Sequence, residues 1–327
     1  MKRTFCLLLF SFSFTGCTPD SDRLPDVSGI AMPVQIRRLE REIFGLRSRG
    51  EVTSFLDANP LFAENFLQRS AAPNDSVVVN QLYRMVTDEH LDTLYRQTQT
   101  VFADLKGLEA EFADAFRHVK HYYPAFRAPQ IHTLVTGFGS DLFVSDSLIL
   151  VGLDYYLGER GKYRPNVPMY LQRRYRPEYL VPSSVTLLSQ SYNATDARNK
   201  SLLAEMIFYG KAYEFTKAML PNAPDSLIIG YTGKQLIDTE TNQAVVWAHF
   251  VEKKLLYETA NARKIKYTGE RPHTPEISSD CPGTIGRWLG WKIVREYRKR
   301  HPDVTLPNLM KNSDAQAIFT QSKYKGK

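Results

Sequence analysis

The chain has 327 residues, of which 43% are hydrophobic and 24% charged, an ordinary globular composition. That is enough apolar material for one large domain or two small ones with a substantial core. Its formal charge of +7 falls to 7 − 2 = +5 once Lys2 and Arg3 leave with a leader, and no dense Lys/Arg run argues for nucleic acid as a partner.

Lys2-Arg3, the apolar run Phe5 to Phe14 and then Thr15-Gly16-Cys17 have the layout of a secretory signal ending at a lipobox. The run is too short to span a bilayer. Residues 1–16 are therefore expected to be removed, and Cys17 to become a lipidated N-terminus, although Phe14 stands where an aliphatic residue is usual. Cys6 leaves with the leader and Cys17 is acylated, so Cys281 remains alone and no internal disulfide can form. Thr18 rather than Asp follows Cys17, which leans toward the outer membrane. Residues 17–30, polar with Pro and Gly, suit a tether, and 31–327 are expected to form one domain.

Val34, Ile36 and Leu39 hint at a strand before Glu40 to Leu46. Helical patterning dominates from Glu51 to Tyr123, with a stripe from Leu91 to Val119 that Gly107 is expected to bend or break. His118 and His121 sit on that stretch at i and i+3, a spacing from which two rings can reach one metal, but no third ligand is near in sequence. His132 lies in the alternating segment 130–136, read as a strand, and 142–153 read as two strands turning at Ser145-Asp146-Ser147. Gly137-x-Gly139 is followed by no helix signal, so dinucleotide binding is rejected. The densest basic groups, Arg173-Arg174-Tyr175-Arg176 and Arg295 to Arg300, are read as solvated helix faces.

The centre of the chain is a helix from Ser201 to Leu220, stopped by Pro221. Leu203, Met206, Ile207, Gly210 and Tyr213 fall on one stripe, and Gly210 leaves a gap for another backbone or a ligand. A later helix, capped by Thr241 or Asn242, is expected to bury Ala244, Ala248, Val251 and Leu255, with Trp247 beside them. Finally, Pro282 suits the first turn of a helix capped by Ser279 or Asp280. Gly283, Gly286 and Gly290 line one side of it, each costing roughly 1 kcal/mol relative to Ala. That cost points to a closely approaching neighbour, either another helix of the same domain or a ligand held beside Trp288.

The pattern Glu205-Met206-Ile207-Phe208-Tyr209-Gly210-Lys211-Ala212-Tyr213 resembles the centre of the GldB family, lipoproteins of gliding motility and type 9 secretion. Ile229-Gly230-Tyr231-Thr232, Val246-Trp247, the run from Pro282 to Trp291 and Leu306-Pro307 extend the likeness over roughly residues 31–324, although Leu39-Glu40 replaces an expected Phe-Asp. The same helix is distantly similar to the Glu-Gly-x-Ala-x-Tyr helix of His-Glu-x-x-His zinc metalloproteases. In those proteins a preceding helix, here Tyr179 to Gln190, carries two His ligands and a Glu base. This sequence has no His-Glu-x-x-His or His-x-x-Glu-His, and Tyr209 stands before Gly210 where the third ligand belongs.

The resemblance therefore implies an α+β, mostly helical fold, a degenerate zincin-like metalloprotease scaffold with a small β-sheet. It also implies a non-catalytic, membrane-anchored component of the gliding and secretion machinery, with no cofactor. Glu205, Tyr209, Lys211, Asp280, Trp288 and Trp291 are the candidate cleft or partner-binding residues. Two alternatives stay open: a metal-dependent hydrolase drawing on His118, His121 or His132, and an envelope protein that binds peptide or glycan in the cleft. Exposed Trp288 and Trp291 would favour the second alternative.

Overall fold

A computed structural model describes residues 24–327, so the expected leader, Cys17 and the first part of the tether lie outside the described residues. Val27 is buried, so packing begins before residue 31, inside the segment assigned to the tether.

Strand β1 (Ile36–Arg38) leads directly into α1 (Leu39–Ile43), as the apolar spacing there suggests. Five helices follow: α2 (Arg49–Ala58), α3 (Pro60–Asn65), α4 (Asp75–Val86), α5 (Glu89–Val101) and α6 (Lys106–Tyr122). The expected break between α5 and α6 falls at Phe102 to Leu105, not at Gly107, which sits exposed in the first turn of α6. Phe102 and Leu105 are buried and the Asp104 carboxylate accepts the Lys106 N–H at 2.6 Å, so burial and a local cap make the turn.

Strands β2 (Gln130–Leu134), β3 (Leu142–Val144) and β4 (Leu148–Gly152) complete one four-stranded sheet of order β1-β2-β4-β3. The first three of these pair in parallel and β3 runs antiparallel along β4 at one edge. The predicted turn at 145–147 is present, closed by the Ser145 N–H donating to the Leu148 carbonyl at 2.8 Å. Every residue of β4 is buried, which explains its unbroken apolar run Leu148-Ile149-Leu150-Val151.

The rest is helical: α7 (Met169–Gln172), α8 (Leu180–Leu188), α9 (Leu202–Met219), α10 (Asp225–Ile229), α11 (Gly233–Thr241) and α12 (Gln243–Glu252). Then come α13 (Asn261–Thr268), α14 (Ile285–Arg300), α15 (Leu306–Lys311) and α16 (Ala315–Ser322). The architecture is α+β and mostly helical with a small mixed sheet. One hydrophobic cluster runs through it from Ile36 to Tyr324.

Helix α9 is the hub. Ser201 caps it, its hydroxyl accepting the Ala204 N–H at 3.2 Å, and residues on several faces are buried because α6, α8, α14 and α16 all pack on it. Its closest neighbour is α14. A Cβ on Gly210 would sit 2.4 Å from the Gly290 carbonyl oxygen, and one on Gly290 would sit 1.9 Å from the Met206 carbonyl oxygen. The two helices thus cross backbone to backbone, and the neighbour that these glycines admit is a helix of the same domain.

Two expectations are corrected. Helix α14 starts at Ile285, after Thr284 at φ +59°, with no side-chain cap from Ser279 or Asp280. Tertiary bonds hold the preceding segment out of the helix: the Tyr231 hydroxyl donates to the Gly283 carbonyl at 2.9 Å and the Thr274 hydroxyl to the Pro282 carbonyl at 2.8 Å. Gly283 meets the Arg271 backbone, not α9. In α12 the buried residues are Val246 and Phe250, whereas Ala244, Ala248 and Val251 are exposed. Trp247 turns the helix, its ring lying 5.9 Å from Phe319 and 5.4 Å from Tyr324 in the C-terminal segment.

Candidate functional site

A cavity of about 390 Å³ opens between the edge strand β3, helices α8 and α9 and the end of α10. Helix α8 buries Leu180, Val181, Ser184, Val185 and Leu188, so its remaining face turns Ser183, Thr186 and Leu187 to the cavity. The Thr186 and Thr216 hydroxyls meet at 2.9 Å and tie α8 to α9. Leu142 comes from β3 and Asp141 from the residue before it, and the Asp141 carboxylate accepts both the Leu142 N–H at 2.8 Å and the Tyr175 hydroxyl at 3.1 Å.

The charged part of this cleft is a trio from three distant segments. Glu270 accepts Arg174 Nη1 at 3.0 Å on one oxygen and Arg287 Nη1 at 2.9 Å on the other. Arg287 also donates through Nε to the Thr268 carbonyl at 2.6 Å, and its guanidinium lies 4.2 Å from the centre of the Tyr209 ring. Arg174 reaches the Gly230 carbonyl at 3.3 Å, where Gly230 ends α10 at φ +77°. Burial opposes the charge on Arg287, but the Tyr213 and Glu270 side chains outweigh it and hold the guanidinium's pKa above its ordinary value. Burial likewise raises the pKa of the Tyr213 phenol.

The sequence-derived candidates do not gather here. Trp288 and Trp291 are 1% and 2% exposed, packed in the core and closed to a partner. Trp291 faces α9, its ring centre 5.4 Å from that of Tyr213, whereas Trp288 lies on another side of α14, two residues and about 160° round the helix from Gly290. The Trp291 N–H donates to Glu214 at 2.9 Å, and the Arg295 guanidinium stacks 3.9 Å from its ring centre. Lys211, 2% exposed, is also closed to a partner and meets no acid. Its ammonium donates to the carbonyls of Ala194 at 2.7 Å, Asn312 at 2.8 Å and Met310 at 3.3 Å, and burial pulls its pKa down to about 8. It is a stitch between α9 and the chain after α15.

Glu205 lines a different cavity of about 250 Å³ with Lys211, accepting the Thr268 hydroxyl at 2.7 Å and pairing with Lys264 at 3.3 Å. Asp280 is exposed in a third cavity, of about 590 Å³, beside Cys281 and His273. Burial pushes the Cys281 thiol up to about 12, which keeps it protonated. Of the six candidates only Tyr209 borders the cleft, through the guanidinium stacked on it. Arg174, Glu270 and Arg287 escaped sequence reasoning because no local spacing links them. Their one trace was the basic run at 173–176, read as a solvated face although Arg173 and Arg174 both donate to the Gly230 carbonyl.

The three histidines do not form one centre. His118 is buried with Nδ1 2.9 Å from the Asp114 carbonyl oxygen, whereas His121 on the same helix is exposed. His132 is buried in β2 with no partner for Nδ1 among the described residues, and burial and then Arg37 lower its pKa. Among the described residues, no group of three or more His, Cys, Asp or Glu is placed to hold a metal ion. The Gly137-x-Gly139 loop is held by Asp154, whose carboxyl oxygens accept the amides of Thr136 at 3.0 Å and Phe138 at 2.7 Å.

A family model described as gliding motility protein GldB matches residues 20–326. The chain belongs to the GldB family. No curated protein and no solved structure matches it. Membership makes the chain a gliding-motility-related lipoprotein, and the match spans the α9–α14 hub and the cleft together. Among the described residues of this GldB protein, no helix is long and apolar enough to cross a membrane.

Proposed function

We propose that this GldB protein is a non-catalytic part of the gliding-motility machinery and its linked type 9 secretion system, held at the outer membrane by lipidated Cys17. The observation that carries this reading is the family match over nearly the whole chain. The side chains that α8 turns to the cleft argue against zincin-type catalysis there. On a zincin-like scaffold α8 is the helix that bears the metal ligands and the general base, and its cleft-facing side chains are Ser183, Thr186 and Leu187, which can supply neither. The lipobox at Thr15-Gly16-Cys17 and the residue Thr18 support the anchoring and its leaflet-independent assignment to the outer membrane.

The test is affinity capture of a chromosomally tagged copy from detergent-solubilised membranes, with Cys17→Ala as the control. Enrichment of gliding or secretion components that falls in the control is the expected result. A deletion strain of a gliding organism with normal surface movement and normal secretion would overturn the reading.

A further inference from the structure

We propose that the outward face of α12, with the lysines at its end and along the C-terminal tail beside it, lies on an anionic lipid bilayer. This contact is a second one, additional to the lipid on Cys17, and it rests on the membrane-anchored reading above.

Seven of the ten residues of α12 are apolar and they lie all round the helix, a composition that ordinarily goes with full burial. Yet only Val246 and Phe250 are buried. Two partly buried residues mark the margins of the packed side: Trp247 meets Phe319 and Tyr324, and the His249 ring lies 3.0 Å from the Tyr267 hydroxyl. Ala244, Val245, Ala248 and Val251 occupy the side left over, at three- and four-residue spacing. All four are exposed, Val245 at 58% and Val251 at 49%.

Two pairs of lysines frame this face. Lys253 and Lys254 follow the last residue of α12 directly and are exposed. On the flank, Tyr324 packs on Trp247 and a Cβ on Gly326 would meet the same ring, so the tail runs beside α12. Tyr324 and Gly326 are buried there, and the alternate residues Lys323 and Lys325 turn to solvent. The acids around α12 and the tail have partners elsewhere: Glu240 pairs with Lys292, Glu258 with Arg263, Glu276 with Arg271 and Glu296 with Arg300. Among the described residues, four lysines therefore face solvent here against one acid without an ion-pair partner, Glu252.

Exposed apolar side chains rimmed by amines suit the boundary between headgroups and acyl chains, where lysine stems stretch to reach phosphates. The charge selects the occupant. A second copy docked through the same face would set its lysines against these, and a zwitterionic surface offers them no net attraction. The tether keeps the bilayer close: from Cys17 to the buried Val27 there are 27 − 17 = 10 residues, which span at most about 35 Å. At that distance a contact too weak to hold a free protein is enough to fix which face the body presents.

The experiment uses the full lipidated chain in vesicles, carrying an environment-sensitive fluorophore at Ala248→Cys on this face or at Gly107→Cys on α6. Cys281 is buried, so the introduced thiol takes the label. The vesicles are phosphatidylcholine alone or mixed with phosphatidylglycerol, with a nitroxide quencher on the acyl chains. A blue shift and quenching at 248 in the anionic vesicles only, reversed by high salt and absent at 107, is the expected result. Lys253→Gln and Lys325→Gln should each weaken docking about fivefold, the equivalent of ~1 kcal/mol for one lysine at an anionic surface. A label at 248 that stays in water on anionic vesicles overturns the proposal and gives the face to an acidic protein. Quenching that is equal on both kinds of vesicle and grows with protein density also overturns it, in favour of a second copy. Retention of the chain on phosphatidylcholine vesicles reports the Cys17 anchor separately, so the anchor and the α12 contact stand or fall independently.

Discussion

Gly290→Ala tests the crossing around which the helices are arranged. In an isolated helix the change is stabilising by roughly 1 kcal/mol. Here the added Cβ would sit 1.9 Å from the Met206 carbonyl oxygen and 2.4 Å from its carbon, against an ordinary contact of 3.4 Å or more. Relief requires α14 and α9 to separate by about 3.4 − 1.9 = 1.5 Å, and the obstruction is backbone, which has no rotamer to change. Such a shift loosens Trp291 and Met206 together, and overpacking of this kind costs typically ~1–3 kcal/mol or more. The net expectation is destabilisation by about 2 kcal/mol, a fall in Tm of roughly 3 °C in a chain of this size. Denaturant and thermal unfolding followed by circular dichroism would measure it. Gly107→Ala is the matched control, because that glycine is exposed with nothing within 4 Å of an added Cβ, and it should be neutral or stabilising by up to ~1 kcal/mol. A Gly290→Ala protein as stable as its parent would refute the backbone-to-backbone crossing.

Three further outcomes follow from particular contacts. Lys211→Met leaves the carbonyls of Ala194, Met310 and Asn312 without their donor, and should cost at least ~2 kcal/mol at neutral pH. Lys211 titrates near 8 when folded against 10.5 for an ordinary lysine, so the unfolded chain binds more protons between those values. Its contribution to stability therefore rises from pH 8 to 10.5. The stability of the parent relative to Lys211→Met should grow across that window, and a flat difference would contradict the burial of the charged amine. Asp154→Asn removes one of the two acceptors that hold the amides of Thr136 and Phe138, and should speed hydrogen exchange at both by at least tenfold, roughly 1.4 kcal/mol. Unchanged exchange would show that the loop stands without the carboxylate. Cys281, 9% exposed and with its thiol pushed up to about 12, should resist alkylation at pH 8 in the folded protein and react on unfolding. Rapid native labelling would place it at the surface.

Periodicity and local chemistry decided much of this protein before any tertiary contact. The apolar stripe of 203–213 makes α9 a helix, Ser201 caps it, and the alternation and turn residues of 142–153 make a hairpin of two strands, because spacing along one segment is all that such elements need. The glycines of α9 and α14 were legible as a demand for a close neighbour, though not for which one. What the tertiary structure decided is everything that depends on two or more segments meeting. It determined that Gly210 faces Gly290, that Tyr231 and Thr274 hold Pro282 out of α14, and that the tail turns Trp247 and with it the buried face of α12. The same holds for the cleft. Arg174, Glu270 and Arg287 are one charge cluster only because three segments with no common spacing converge, whereas Trp288 and Lys211, conspicuous in the sequence, are consumed by packing and by backbone carbonyls. A side chain's type is written in the chain, but whether it meets solvent, another side chain or a partner is set by which distant backbone lies against it.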